Sequence, residues 1–151
     1  MLGELTDKQI NDVLESQFMG RIGCQAKGKP YIVPIGYAFE DPYIFARSKE
    51  GLKIEIMREN NEVCFQVDII ENMVNWRSVI LWGTYEEISD EVEIQTATDI
   101  IMEKMAPVIT SETLNPQGQP MAPVIVEKEK KAIVFRIKIT KKSGRYEKSV
   151  N

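Results

Sequence analysis

Three β-rich segments follow one another with almost no chain between them, and nothing else in the sequence constrains the fold as tightly. Arg21–Ala26, Tyr31–Phe39 and Tyr43–Ser48 are dense in β-branched and aromatic residues. Lys27-Gly28-Lys29-Pro30 and Glu40-Asp41-Pro42 separate them and read as turns. Strands joined this closely can only be antiparallel neighbours, because a parallel pair needs a crossover of a dozen or more residues. Two more strands are predicted over Glu62–Ile70 and Asn75–Ile88, with Glu71-Asn72-Met73-Val74 between them. Lys131–Thr140 closes the set, with Ile133, Phe135, Ile137 and Ile139 alternating against Arg136 and Lys138. Val124–Val126 is a further short candidate.

Helices fill the gaps. Thr6 and Gln9 form a capping box for a helix over residues 7–18, with Ile10, Val13, Leu14 and Phe18 on one face. Ser48 is read as the N-cap of a short helix over 49–59, with Leu52, Ile56 and Met57 on its apolar side. Ser89 is read as the cap of a long helix over 90–106, with Asp90 and Glu91 in its first turn and Ile94, Ala97, Ile101 and Met105 as its buried stripe. Pro107 is expected to end it, and residues 107–123 hold four of the seven prolines. The predicted fold is mainly β with helices: one domain over 1–151, a small antiparallel barrel of about six strands decorated by two to three helices.

Composition narrows the chemistry. The chain has no histidine, which excludes Ser-His-Asp and Cys-His nucleophile systems, His-ligated metals and any His general base. Cys24 and Cys64 lie far apart with no CxxC, so no metal site is predicted and both read as small buried hydrophobes. A borrowed cofactor is then the natural source of difficult chemistry. Net charge of −4 and a pI near 5.0 argue against nucleic acid as a partner. Residues 127–148 nevertheless hold nine Lys or Arg against three Glu, a solvated strand face or an anion-binding surface. No apolar run reaches membrane-spanning length and no signal peptide opens the chain, so a cytoplasmic protein is expected.

Three segments depart from ordinary surface chemistry. In Phe45-Ala46-Arg47-Ser48-Lys49-Glu50-Gly51-Leu52-Lys53 a strand runs into a helix start, where cations are normally unfavourable, yet Arg47, Lys49 and Lys53 gather there. A bound phosphate explains them, with Gly51 allowing close approach; a capped surface helix with solvated lysines is the alternative. In Tyr31-Ile32-Val33-Pro34-Ile35-Gly36-Tyr37, Pro34 breaks a convincing strand and leaves backbone groups for the rim of a flat heterocycle, or else marks a protected edge. In Asn75–Tyr85, Trp76, Ser78, Ile80, Trp82 and Thr84 share one face, as in a subunit interface, a ligand wall or a core.

In this order and spacing the stretches GRIGCQAKGKPYIVPIGYAF, YIFARSKEGLKIEIMRENNEVCFQV and WRSVILWGTYEEI resemble the FMN-binding split β-barrels of the pyridoxamine 5'-phosphate oxidase superfamily. The likeness is to the nitroimidazole-resistance (Nim-like) branch, whose C-terminus the closing GRYEK also resembles. The resemblance implies an FMN cofactor at the interface of a homodimer. It implies a strand of Tyr31, Ile32, Val33, Pro34, Ile35 and Gly36 along the isoalloxazine ring. Arg47, Ser48 and Lys53, with Gly51, match the phosphate positions, and Trp76 and Ser78 match positions on the later strand. Ala46 stands where that branch usually carries a histidine, so no catalytic residue is assigned. The residues that grip pyridoxal phosphate have no counterpart, which argues against vitamin B6 oxidation. The expected function is an FMN-dependent oxidoreductase acting on a small electron-poor molecule, such as a nitroaromatic, with a reductant such as NAD(P)H. Its proton source would be water, Tyr37 or another group. A flavin sensor, carrier or storage module without turnover is the alternative.

Overall fold

The computed structural model describes residues 1–112 and 132–150. In order, the elements are β1 (Leu2–Glu4), α1 (Asp7–Ser16), β2 (Met19–Ala26), β3 (Lys29–Gly36), β4 (Ala38–Glu40), β5 (Tyr43–Ser48), α2 (Leu52–Glu59), β6 (Glu62–Asn72), β7 (Asn75–Glu87), α3 (Glu91–Glu112) and β8 (Ile133–Glu147). The eight strands form one antiparallel sheet in the order β3-β2-β6-β7-β8-β5-β4, with β1 beside β8. Mainly β and split-barrelled as expected, the molecule has eight described strands where about six were predicted. β1 is too short to carry a pattern. The predicted strand at Val124–Val126, and residues 113–123 of the proline-rich segment, lie outside the described residues.

The predicted strand over 31–39 is two strands, and this correction determines the architecture. β3 pairs with β2 at one edge of the sheet, while β4 pairs with β5 at the other. Only Tyr37 separates them. Two residues of chain span at most about 7 Å, so the sheet must curl until its edges meet at Tyr37. Tyr37 is wholly buried, its N–H bonds to the Phe18 carbonyl at 3.1 Å and its hydroxyl donates to the Leu14 carbonyl at 2.6 Å. Its ring meets Phe65 edge-on at 5.2 Å in the main core. Satisfying these contacts costs one ladder position.

Turn chemistry follows the sequence more directly. Lys27 and Gly28 both take positive φ between the paired Ala26 and Lys29, the geometry of a two-residue hairpin. The β6–β7 turn narrows to Met73-Val74, since Asn72 and Asn75 still pair. β8 runs past the predicted Thr140 to Glu147, because a bulge at Thr140 breaks its alternation opposite Trp82 and Gly83. At Gly83 a Cβ would stand 2.4 Å from the Lys138 carbonyl oxygen, so only glycine fits the close backbone approach there.

The helices sit on the curled sheet. α1 has the predicted capping box of Thr6 and Gln9 and buries Ile10, Val13 and Leu14. It ends at Ser16 rather than residue 18, because the extended Gln17 turns the chain into β2 and leaves Phe18 half-exposed. α3 is capped by Asp90, whose carboxylate accepts from the Glu93 N–H at 3.0 Å, and not by Ser89. It also runs through Pro107, where it was expected to end. Its stripe of Ile94, Ala97, Ile101 and Met105 packs beside Ala38, Phe45 and Val134 in a second, smaller core.

Candidate functional site

β5 delivers Arg47 and Ser48 to the corner where the chain turns into α2. Ala46, Arg47 and Ser48 pair with Phe135, Val134 and Ile133 of β8, which fixes the corner on the sheet. Ser48 is the last residue of β5 and not a helix cap: its hydroxyl donates to the Lys49 carbonyl at 2.9 Å. The helix begins at Leu52 rather than 49, with Gly51 as N-cap and no side chain capping it, unlike α1 and α3. The buried pair of this helix is Ile54 and Met57, while Leu52, expected on that face, is exposed because it lies two residues, more than half a turn, around the helix from Ile54. Arg47 and Lys53 are half-buried and Lys49 exposed. A Cβ built on Gly51 would meet only the Lys49 carbonyl oxygen, at 4.0 Å, so the chain itself leaves that side of the turn open. Three cations and a helix start with no side-chain cap make a donor set suited to a phosphate, which the Ser48 hydroxyl would join only by turning away from the Lys49 carbonyl.

The acidic residue of this corner is engaged elsewhere. Glu50 accepts a hydrogen bond from Arg58 in the last turn of α2. Arg58 also grips Glu87 at the end of β7 in a bidentate pair, at 2.8 and 3.1 Å. Tyr85 donates its hydroxyl to Glu87 at 2.8 Å. The Arg58 and Tyr85 hydrogen bonds hold the Glu87 carboxyl below its ordinary range, and burial pushes the Tyr85 phenol up. Sequence reasoning missed this cluster, whose members are far apart in the chain and follow no motif.

β3 is an edge strand, the setting in which Pro34 is tolerated. Ile32 and Pro34 are exposed on its outer side; Ile35 is in the core and Tyr31 and Val33 pack against it. Gly36 faces the tip of Met105 from α3, whose Cε a Cβ there would meet at 2.4 Å and whose flexible side chain can swing aside. Ala46 is also a core residue, 1% exposed, so it offers a ligand only its main chain. A histidine at that position would have to displace core side chains. Tyr37, with its hydroxyl bonded to Leu14 and burial pushing its pKa up, is removed from the candidate proton sources.

The tryptophans of β7 are not core residues. Val79, Leu81 and Tyr85 face inward, while Trp76, Ser78, Ile80, Trp82 and Thr84 lie on the outer side, with Ile80 and Trp82 each 40% exposed. Ser78 receives a hydrogen bond from Gln66 at 3.1 Å, and Gln66 in turn meets Asp68 and Arg21. Trp76 donates to Glu147 at 3.1 Å and shares a cavity of about 390 Å³ with Tyr146, Arg77 and Leu5. No residue of β3 or of the β5–α2 corner lines it. A larger groove, about 840 Å³, joins Tyr31 and Ile32 to Trp82, Thr84, Cys24 and Cys64. Cys24 is buried, and burial together with the neighbouring Cys64 raises its thiol pKa. One chain thus assembles the corner, sets β3 near β5, and places Trp76 in a cavity that neither of them lines. Among the described residues there is no cluster fit for a metal.

A curled antiparallel sheet whose cationic strand-to-helix corner lies between β5 and α2 has the architecture of a split-barrel protein. Residues 6–146 match the family described as pyridoxamine 5'-phosphate oxidase, and the chain belongs to that family. An FAD-binding protein of Mesorhizobium loti is similar at 30% identity and a TM-score of 0.75, over 97% of this chain and 98% of that one. A candidate 5-nitroimidazole antibiotic resistance protein of Bacteroides thetaiotaomicron shares the fold at 20% identity and a TM-score of 0.71, over 97% and 87% of the two chains. An uncharacterized protein of Rhizobium meliloti (strain 1021) is 31% identical over 84 residues, 56% of each chain, so the match spans about half that relative's length.

Proposed function

We propose that this protein binds flavin, as FMN, and uses it for electron transfer to a small electron-poor molecule. The observation that carries the reading is the β5–α2 corner, where Arg47 and Ser48 end β5 and Lys53 lies in the first turn of a helix whose start no side chain caps, with open space at Gly51. A terminal phosphate dianion suits that donor set, since each hydrogen bond to it is charge-assisted. The edge strand Tyr31–Gly36 supplies backbone groups for the ring's polar rim, and Pro34 keeps a further strand from adding there. The FAD-binding relative at 30% identity supports flavin as the ligand class. When bound, flavin supplies hydride and electron transfer at its ring; this chain's residues bind the phosphate and orient the ring.

The outer sheet face supports a homodimer. Ile32, Ile80 and Trp82 are exposed there, with Ser78 and Gln66 among them, in the mixture typical of subunit interfaces. A dimer through this face brings a partner's Trp76 and Ser78 toward a corner that one chain leaves without them. Among the described residues no helix is long and apolar enough to cross a membrane, and the reading places the protein in the cytoplasm.

A second reading, a flavin carrier or sensor without turnover, is favoured by the burial of Ala46 and the sequestered Tyr37 hydroxyl, neither of which can deliver a proton. The visible spectrum of the purified protein tests flavin binding, and titration with FMN, FAD and riboflavin identifies the form. Reduction by NADH or NADPH, with and without a nitroaromatic acceptor, separates the two readings. Protein that retains no flavin and binds none of the three overturns both.

A further inference from the structure

The corner's own carboxylate, Glu50, is set between Lys49 and the helix cap Gly51. A negative charge at that position opposes any phosphate drawn in by Arg47, Ser48 and Lys53. Glu50 is instead hydrogen-bonded by Arg58 from the last turn of α2. Arg58 is oriented from its other side by the bidentate contact with Glu87, and Glu87 by the Tyr85 hydroxyl. A single guanidinium thereby joins the turn, the helix and the end of β7. Its planar fork can serve both carboxylates at once, which a lysine cannot reproduce in full.

We propose that Arg58 is a positioning residue for the anion site, engaging the Glu50 carboxylate from the far end of α2 and so keeping the corner positive. The proposal rests on the phosphate-binding reading above and extends it to a residue outside the corner. Exposed ion pairs contribute little to folding, so the effect belongs in ligand selectivity rather than in melting temperature.

FMN and riboflavin are titrated into the wild type, Arg58→Met, Glu50→Gln, the double variant and Arg58→Lys. Arg58→Met should weaken FMN about tenfold and leave riboflavin within about twofold, since only FMN carries the phosphate. Glu50→Gln should restore most of that loss in the Arg58→Met background while changing the wild type little, a coupling that a loosened helix does not produce. Arg58→Lys, which keeps the charge, should stay within about threefold of wild type. If Arg58→Met does not fold, Arg58→Gln takes its place in the same cycle. Additive effects of the two substitutions, or equal loss of FMN and riboflavin, overturn the role of Arg58 and leave flavin binding standing. A wild type that binds neither flavin overturns both.

Discussion

Lys53 carries the most direct test of the phosphate site. It is half-buried in the first turn of α2, where it opposes the helix dipole and gains nothing for the fold. Lys53→Ala should therefore leave the ligand-free protein as stable as wild type, while FMN binding weakens by roughly 2–4 kcal/mol, about 30- to 1,000-fold. Riboflavin should be indifferent to the change. Paired titrations decide it, and equal weakening of both flavins removes Lys53 from the site. Glu87 offers a pH test. Hydrogen bonds from Arg58 and Tyr85 hold its carboxyl below the ordinary 4.5, so its contribution is present above that value and lost as pH falls through the lower folded one. Solvent screening keeps the contribution small. Thermal melts across that acid range should fall less steeply for Glu87→Gln than for wild type; superimposable acid limbs would show that the contact adds nothing.

Among the elements, a packing constraint between the N-terminal segment and β8 falls within the closing GRYEK stretch. At Gly144 of β8 a Cβ would stand 2.8 Å from Ile10 Cγ1 and from Leu5 Cδ1, so the N-terminal segment rests directly on the strand backbone. Gly144→Ala should cost about 1–3 kcal/mol by overpacking, read as a lower denaturant midpoint with unchanged slope; an unaltered midpoint would mean that α1 yields freely. This contact was not legible in the sequence, where the glycine reads only as part of a tail. Patterns with a local cause were legible. The Thr6–Gln9 capping box, the Lys27-Gly28 turn and the α3 stripe each depend on residues within a turn or two. Boundaries decided by distant partners were not. Tyr37 breaks a β-rich run because Leu14 and Phe18 claim its polar groups, and Ser48 yields the cap to Gly51 because β8 keeps it in the sheet. The candidate site divides the same way. Its cations were evident from charge at a helix start, whereas the Arg58–Glu87 and Gln66–Ser78 contacts depend on how separate elements pack and pair and follow no local pattern.

For the whole molecule, the main open test is assembly. The outer sheet face exposes Ile32, Ile80 and Trp82 across four adjacent strands, β3, β2, β6 and β7, with Gly23 and Cys64 completing the row between Ile32 and Trp82. A homodimer through that face should bury at least about 1,200 Å² in total, the lower end for specific interfaces. Sedimentation of the flavin-loaded protein at micromolar concentration checks it: a dimer is expected, and a monomer would remove the partner from the site. Substituting Trp82→Glu should shift the boundary toward the monomer, because a carboxylate buried in that face cannot be desolvated cheaply.

One residue of chain between β3 and β4 works as the clasp of a hoop. With strands that follow each other in sequence fixed at opposite margins of the sheet, the girth of the barrel is set by covalent connection rather than by how well its contents fill it. Trimming a side chain inside can leave a void but cannot let the wall relax inward as an open sheet would. The clasp directly follows β3, the strand proposed to lie along the flavin ring, so a ligand there would lean on a seam closed by covalent connection.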